Sequence, residues 1–124
     1  MSPTLVFRGD GEPWLATGSP GGSRIITIVL QVLLNRMVHG LNLATAVSSP
    51  RIHSQLWPDR IDLEQGISPD TRQLLRGMGH AIRRGRAMGA ANSVEVVPST
   101  GGSPGGSLGV SDPRRAEGAA AAGE

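Results

Sequence analysis

At 124 residues, with 38% hydrophobic and only 2% aromatic residues but 18 glycines and 9 prolines, the chain has room for one domain with a modest core. Its 12 cations are all arginine, the net charge is +2, and the cluster Arg83, Arg84 and Arg86 has no interleaved aromatic, so no nucleic-acid interface is indicated. The lack of cysteine excludes disulfides and thiolate metal sites, His39, His53 and His80 lack ligand spacing, and the apolar run Ile25 to Leu34 is too short and too broken by Thr27 and Gln31 to span a bilayer.

Thr4 to Phe7 and Trp14 to Thr17 are β-prone runs around Arg8-Gly9-Asp10-Gly11-Glu12-Pro13, and the Asp-Gly step predicts a hairpin. The hairpin delivers the chain into Gly18-Ser19-Pro20-Gly21-Gly22-Ser23. From Ser23 to about Val38, the residues Ile25, Ile26, Val29, Leu30, Leu33, Leu34, Met37 and Val38 recur at helical spacing and predict a helix buried on one side. Adjacent glycines at the mouth of such a helix present unshielded N–H groups where its dipole is positive, which suits a developing negative charge. Gly21 and Gly22 are therefore candidate oxyanion or anion donors, and a tight strand-to-helix turn is the plainer alternative.

His39-Gly40 stops that helix, and Asn42 caps a short second one through Val47 that ends by Pro50. Arg60 to Glu64 alternates as a half-exposed strand. Ser68-Pro69-Asp70 then opens a third helix, closed by Gly79. Strands are expected at His80 to Arg84, Ser93 to Val97 and Ser107 to Ser111. A second Ser-Pro-Gly-Gly, at 103–106, precedes no helix and reads as a hairpin loop. The Ala-rich segment 116–124 reads as a disordered tail, leaving 1–115 as the folded unit.

Several motifs in order carry a family resemblance: Met1-Ser2-Pro3-Thr4, Thr17 to Ile26, Leu30-Gln31-Val32-Leu33-Leu34-Asn35, Ser49-Pro50-Arg51-Ile52-His53, Ala87-Met88-Gly89 and Ser111-Asp112-Pro113-Arg114. Together they resemble the C-terminal part of the γ-glutamyltransferase (γ-glutamyl transpeptidase) small subunit. The resemblance implies an α+β fold, a partial αββα sandwich of N-terminal-nucleophile hydrolase type. It implies an enzyme made as a proenzyme, whose new N-terminal threonine attacks γ-glutamyl amides such as glutathione and passes the acyl group to water or to an amine. No cofactor or metal is implied, and the compartment it suggests is periplasmic or extracellular.

By motif position, Gly21 and Gly22 fall on the family's oxyanion-hole glycines, with Ser19 a candidate substrate contact beside them. The serine pair expected just before Met-Ser-Pro-Thr, the nucleophilic threonine and the large subunit fall outside this chain. Thr4, Thr17 and Thr27 are not substitutes, because none carries the free α-amine that serves as general base in this class. The chain reads as an enzyme fragment, inactive alone. Arg24 and Arg51 are expected in salt bridges rather than on substrate. Two alternatives remain: a non-catalytic anion- or phosphate-binding module, which lacks a Gly-Lys-Ser/Thr ending and the later acid of a dinucleotide fold, and an inactive remnant.

Overall fold

A computed structural model describes residues 2–100 and 104–115. The expected hairpin forms from β1 (Thr4–Phe7) and β2 (Pro13–Gly18), closed by Arg8 N–H to Glu12 O at 2.8 Å and Gly11 N–H to Arg8 O at 2.9 Å. The register pairs Val6 with Leu15 but Phe7 with Pro13, so Trp14 is an extra, bulged residue. Two later strands, β6 (Asn92–Val97) and β7 (Gly106–Val110), complete an antiparallel sheet in the order β1-β2-β6-β7. For numbering, β3, β4 and β5 are the intervening strands Ile52–Gln55, Arg60–Leu63 and Ile82–Arg84.

The inner face of the four-stranded sheet carries Leu15, Thr17, Ser93 and Glu95, all buried. Over it lie α1 (Ile25–Met37), entered through a 3-10 turn at Gly22–Arg24, and α2 (Leu43–Ser48), capped by Asn42 Oδ1 accepting from Thr45 N–H at 2.9 Å. Leu15, Ile28, Val32, Leu43, Val47, Met88 and Ala91 form one core between the layers. Each large side chain among them contributes about 1.5–3 kcal/mol by leaving water. Glu95 is tolerated in this layer because Arg36 grips both carboxylate oxygens, at 2.9 and 2.5 Å, and Trp14 Nε1 donates at 2.9 Å.

Two expectations about α1 need correction. Its first turn is 3-10 rather than α-helical, and the buried face is Ile28, Val29 and Val32, whereas Ile26, Leu30, Leu34, Met37 and Val38 are exposed. The helix is apolar on more than one side, so periodicity alone cannot say which stripe meets the sheet.

The second sheet, in the order β3-β4-β5, is antiparallel between β3 and β4 and parallel between β4 and β5. The crossover is α3 (Pro69–Gly77), capped by Ser68 Oγ as its sequence predicts. Strand β3 has no sequence signal strong enough to predict it. Its extended form comes from pairing with β4 and from the Gln31 side chain of α1, whose amide donates to Ile52 O at 2.7 Å and accepts Ile52 N–H at 2.9 Å. Strand β5 begins at Ile82 rather than His80, because His80 N–H donates to Leu75 O at 3.1 Å and, with Gly79 at φ 91°, closes α3. Strand β7 ends at Val110, one residue before the expected Ser111. Pro104 and Gly105 lie between the antiparallel β6 and β7, while Gly101 to Ser103 and the 116–124 tail lie outside the described residues.

The result is an α+β architecture, a partial αββα sandwich. The outer face of the four-stranded sheet is apolar and open, with Leu5 64%, Phe7 55% and Val94 44% exposed. No helix among the described residues is long and apolar enough to cross a membrane.

Candidate active site

The chain leaves β2 at Gly18 and reaches α1 through two glycines in backbone conformations that favour glycine: Gly21 at φ 146° and Gly22 at φ 59°. A side chain at such φ values typically costs about 1–2 kcal/mol. Gly21 O accepts from Arg24 N–H at 3.2 Å and Gly22 O from Ile25 N–H, which starts the helix. The Gly21 and Gly22 N–H groups find no acceptor among the described residues, and neither a capping side chain nor an acid in the first turn occupies the helix entrance. Two unspent donors thus sit where the dipole is positive, and what they can do chemically is hold an anion or a developing oxyanion.

Ser19 lies behind the loop rather than beside its open side. It is fully buried, its hydroxyl donates to Pro20 O at 2.7 Å and accepts from Ala90 N–H at 3.1 Å, so no face of it is left for a direct substrate contact. The support continues through Gly89, at φ 61°: a Cβ there would stand 2.6 Å from Pro20 O and 2.7 Å from Ile28 Cδ1, and closer still to Ser19 Oγ. The segment Met88 to Ala91 is therefore the floor on which the glycine loop rests.

That floor is fastened by buried charges. Met88 N–H donates to Glu64 at 2.5 Å, Met88 O accepts from Arg51 Nη1 at 2.7 Å, and Ala91 N–H donates to Asp112 at 2.7 Å. Arg51 and Asp112 pair at 2.6 Å with side chains 1% and 0% exposed, and Arg114 bridges Glu64 at 2.7 Å and Asp112 at 3.1 Å. Burial pushes the Asp112 carboxyl up, but donation from the Ala91 and Arg114 N–H groups and from Arg51 outweighs it, leaving the group below its ordinary range. Glu64 is likewise held low: burial opposes ionisation, and Arg114 with the Arg51 and Met88 N–H groups prevails. Burial lowers the Arg51 pKa despite the Asp112 bond.

Among the other residues singled out from sequence, Arg24 pairs with Asp62 at 3.3 Å, so both expected arginine salt bridges exist. Thr17 Oγ1 accepts from Ser93 Oγ at 2.8 Å, and Thr27 Oγ1 donates to Arg24 O at 3.0 Å, which makes both structural. His53 is buried, with Nδ1 2.8 Å from Thr27 Oγ1 and Nε2 3.0 Å from Gln55 Oε1. The described residues hold no cluster of His, Cys, Asp and Glu suited to a metal. Sequence reasoning missed the roles of Glu64, Asp112 and Arg114. The Ser-Asp-Pro-Arg run was a signal, but its partners lie some 50 and 61 residues away and no local spacing connects them.

The layered α+β fold, with a glycine loop feeding the helix over its sheet, is that of an N-terminal-nucleophile hydrolase portion. The family model described as Gamma-glutamyltranspeptidase matches residues 1–122, and the chain belongs to that family. It is 49% identical over 114 residues, 92% of this chain but 19% of the relative, to the glutathione hydrolase proenzyme of Escherichia coli K12. A Helicobacter pylori gamma-glutamyltranspeptidase T380A mutant superposes with a TM-score of 0.86 at 42% identity, covering 92% of this chain and 60% of that one. An acivicin-inhibited gamma-glutamyltranspeptidase, whose C-terminus has critical roles in autoprocessing and catalysis, gives 0.87 at 41% identity and covers 94% and 61%. The chain spans about a fifth of the length of the curated relatives it matches.

Proposed function

We propose that this chain supplies the oxyanion-stabilising loop of a γ-glutamyl hydrolase and transferase acting on γ-glutamyl amides such as glutathione. The observation that carries the reading is the pair of unspent N–H groups of Gly21 and Gly22 at the uncapped entrance to α1. A threonine hydroxyl from the rest of the polypeptide attacks the γ-carbonyl carbon, the carbonyl oxygen becomes an oxyanion, and the two amides receive it. Collapse expels the amine and leaves a γ-glutamyl ester, which water or an acceptor amine then cleaves. One preorganised donor of this kind commonly contributes about 3 kcal/mol to lowering the barrier. Ser19 acts as support for the loop, not as a ligand. The remainder of the small subunit and the large subunit are the partners in this reading, and their sheet is the natural cover for Leu5, Phe7 and Val94.

The test places this chain at the corresponding position of the E. coli relative and follows turnover of a γ-glutamyl anilide. A bulky residue at Gly21 or Gly22 is expected to lower the acylation rate about a hundredfold while moving substrate affinity far less. Unchanged acylation removes the assignment. The 124-residue chain alone is expected to show no turnover.

A further inference from the structure

A second charged concavity lies between the first turn of α1 and the β3–β4 hairpin. Its volume is about 90 Å³, and Ser23, Arg24, His53, Gln55, Arg60 and Asp62 are among its walls. A water occupies about 30 Å³ in the liquid, so the space suits one carboxylate or phosphate group.

Its charge is unbalanced. Asp62, 5% exposed, is the one carboxylate in the cluster among the described residues, and both of its oxygens are already engaged. Oδ1 accepts from Arg60 Nε at 3.1 Å and Arg83 Nε at 2.8 Å, and Oδ2 from Arg24 Nη2 at 3.3 Å and Arg83 Nη2 at 2.5 Å. Three guanidinium groups therefore surround one carboxylate, and the Arg83 bonds hold that carboxyl below its ordinary range. Arg24 Nε and Nη1, and Arg60 Nη1 and Nη2, have no acceptor among the described residues.

The walls are built in advance. Register places His53 opposite Asp62 across β3 and β4, and Asp62 opposite Arg83 across β4 and β5. Gln55 is oriented by its amide donating to Trp57 O at 2.8 Å, and His53 is held between Gln55 and Thr27. Guanidinium groups gathered on a shared carboxylate keep their remaining donors in a fixed fork, which is the geometry oxyanions use.

We propose that this cavity binds a small oxyanion, a carboxylate or a phosphate, through Arg24 and Arg60. The site is separate from the glycine loop's amides and does not depend on the role given to them.

The test titrates the ¹⁵N-labelled 124-residue chain with inorganic phosphate and, in a parallel series, with N-acetylglycine, with chloride adjusted to hold ionic strength constant. Saturable amide shifts at Ser23, His53, Gln55 and Arg60 are expected, with affinity lowered about fivefold or more in Arg60→Gln. Tighter phosphate binding assigns a phosphoryl ligand, and tighter N-acetylglycine binding assigns the terminal carboxylate of a peptide. Arg24 and Arg83 still hold Asp62 in that variant, so its spectrum should stay native, and Arg24→Gln provides a second variant with the same expected loss. Shifts that rise without saturation, or equal affinities in parent and both variants, overturn the proposal. Loss of γ-glutamyl chemistry leaves this readout untouched, so the two readings fail separately.

Discussion

Ser19 and Gly89 meet back to back beneath the glycine loop: the Ser19 hydroxyl accepts the N–H of Ala90, the residue after Gly89, and a Cβ on Gly89 would collide with Ser19 Oγ and Pro20 O. Gly89 is thus required twice, by its positive φ and by the missing side chain. Gly89→Ala is expected to cost about 3 kcal/mol in chemical denaturation, summing left-handed strain and overpacking. In the grafted enzyme it should lower the acylation rate more than substrate affinity, because it displaces the loop without touching its amides. A variant as stable and as fast as the parent removes this role.

Asp112 anchors the same floor from the far end of the chain. Asp112→Asn keeps the shape but leaves Arg51, whose own Nε already has no partner among the described residues, buried without its counter-ion. The expected destabilisation is about 3–5 kcal/mol, read by denaturant titration. Arg51→Met also removes one partner, but Asp112 keeps Arg114 and the N–H groups of Ala91 and Arg114, so it is expected to cost less than Asp112→Asn. The reverse order would show that the ion pair is not what sets the cost.

Asp62, Glu64, Glu95 and Asp112 all have carboxyl pKa values held below the ordinary range. Arg83 is the main cause for Asp62, Arg36 for Glu95, and hydrogen bonds overcoming burial for Glu64 and Asp112. A depressed folded-state pKa means that the unfolded chain binds more protons, so the contribution is complete above the unfolded value of about 4 and is lost as pH falls through the folded values. Stability should therefore fall on acidification below about pH 4–5. The slope should be shallower in Glu95→Gln, and an acid limb unchanged in that variant would contradict the linkage.

Ile28 is fully buried, and its Cδ1 lies within contact range of the positions a Cβ would take on Gly21 and Gly89. Ile28→Ala is expected to cost about 3 kcal/mol. It should also quicken hydrogen exchange at Ala90, whose N–H donates to the buried Ser19 hydroxyl, since the floor beside Gly89 loses its contact with the helix. Exchange unchanged from the parent would show the floor to be held from elsewhere.

Much of the fold is legible in local chemistry. The Asp-Gly hairpin, the Asn42 and Ser68 caps, Pro69 at a helix start, and Gly79 at its end each act within a few residues, so the sequence alone places them. The glycine pair before an apolar helix is legible for the same reason: φ freedom and helix polarity are properties of the segment itself. Which stripe of α1 is buried was decided by the sheet beneath it. Strand β3 exists because β4 and Gln31 supply its hydrogen-bond partners. Ser19 turned inward because Ala90, 71 positions away, offers the donor that its hydroxyl accepts. Burial and long-range pairing depend on what surrounds a residue rather than on its neighbours in the chain, and so the floor under the loop, and the arginines gathered around Asp62, emerged only when the chain was folded.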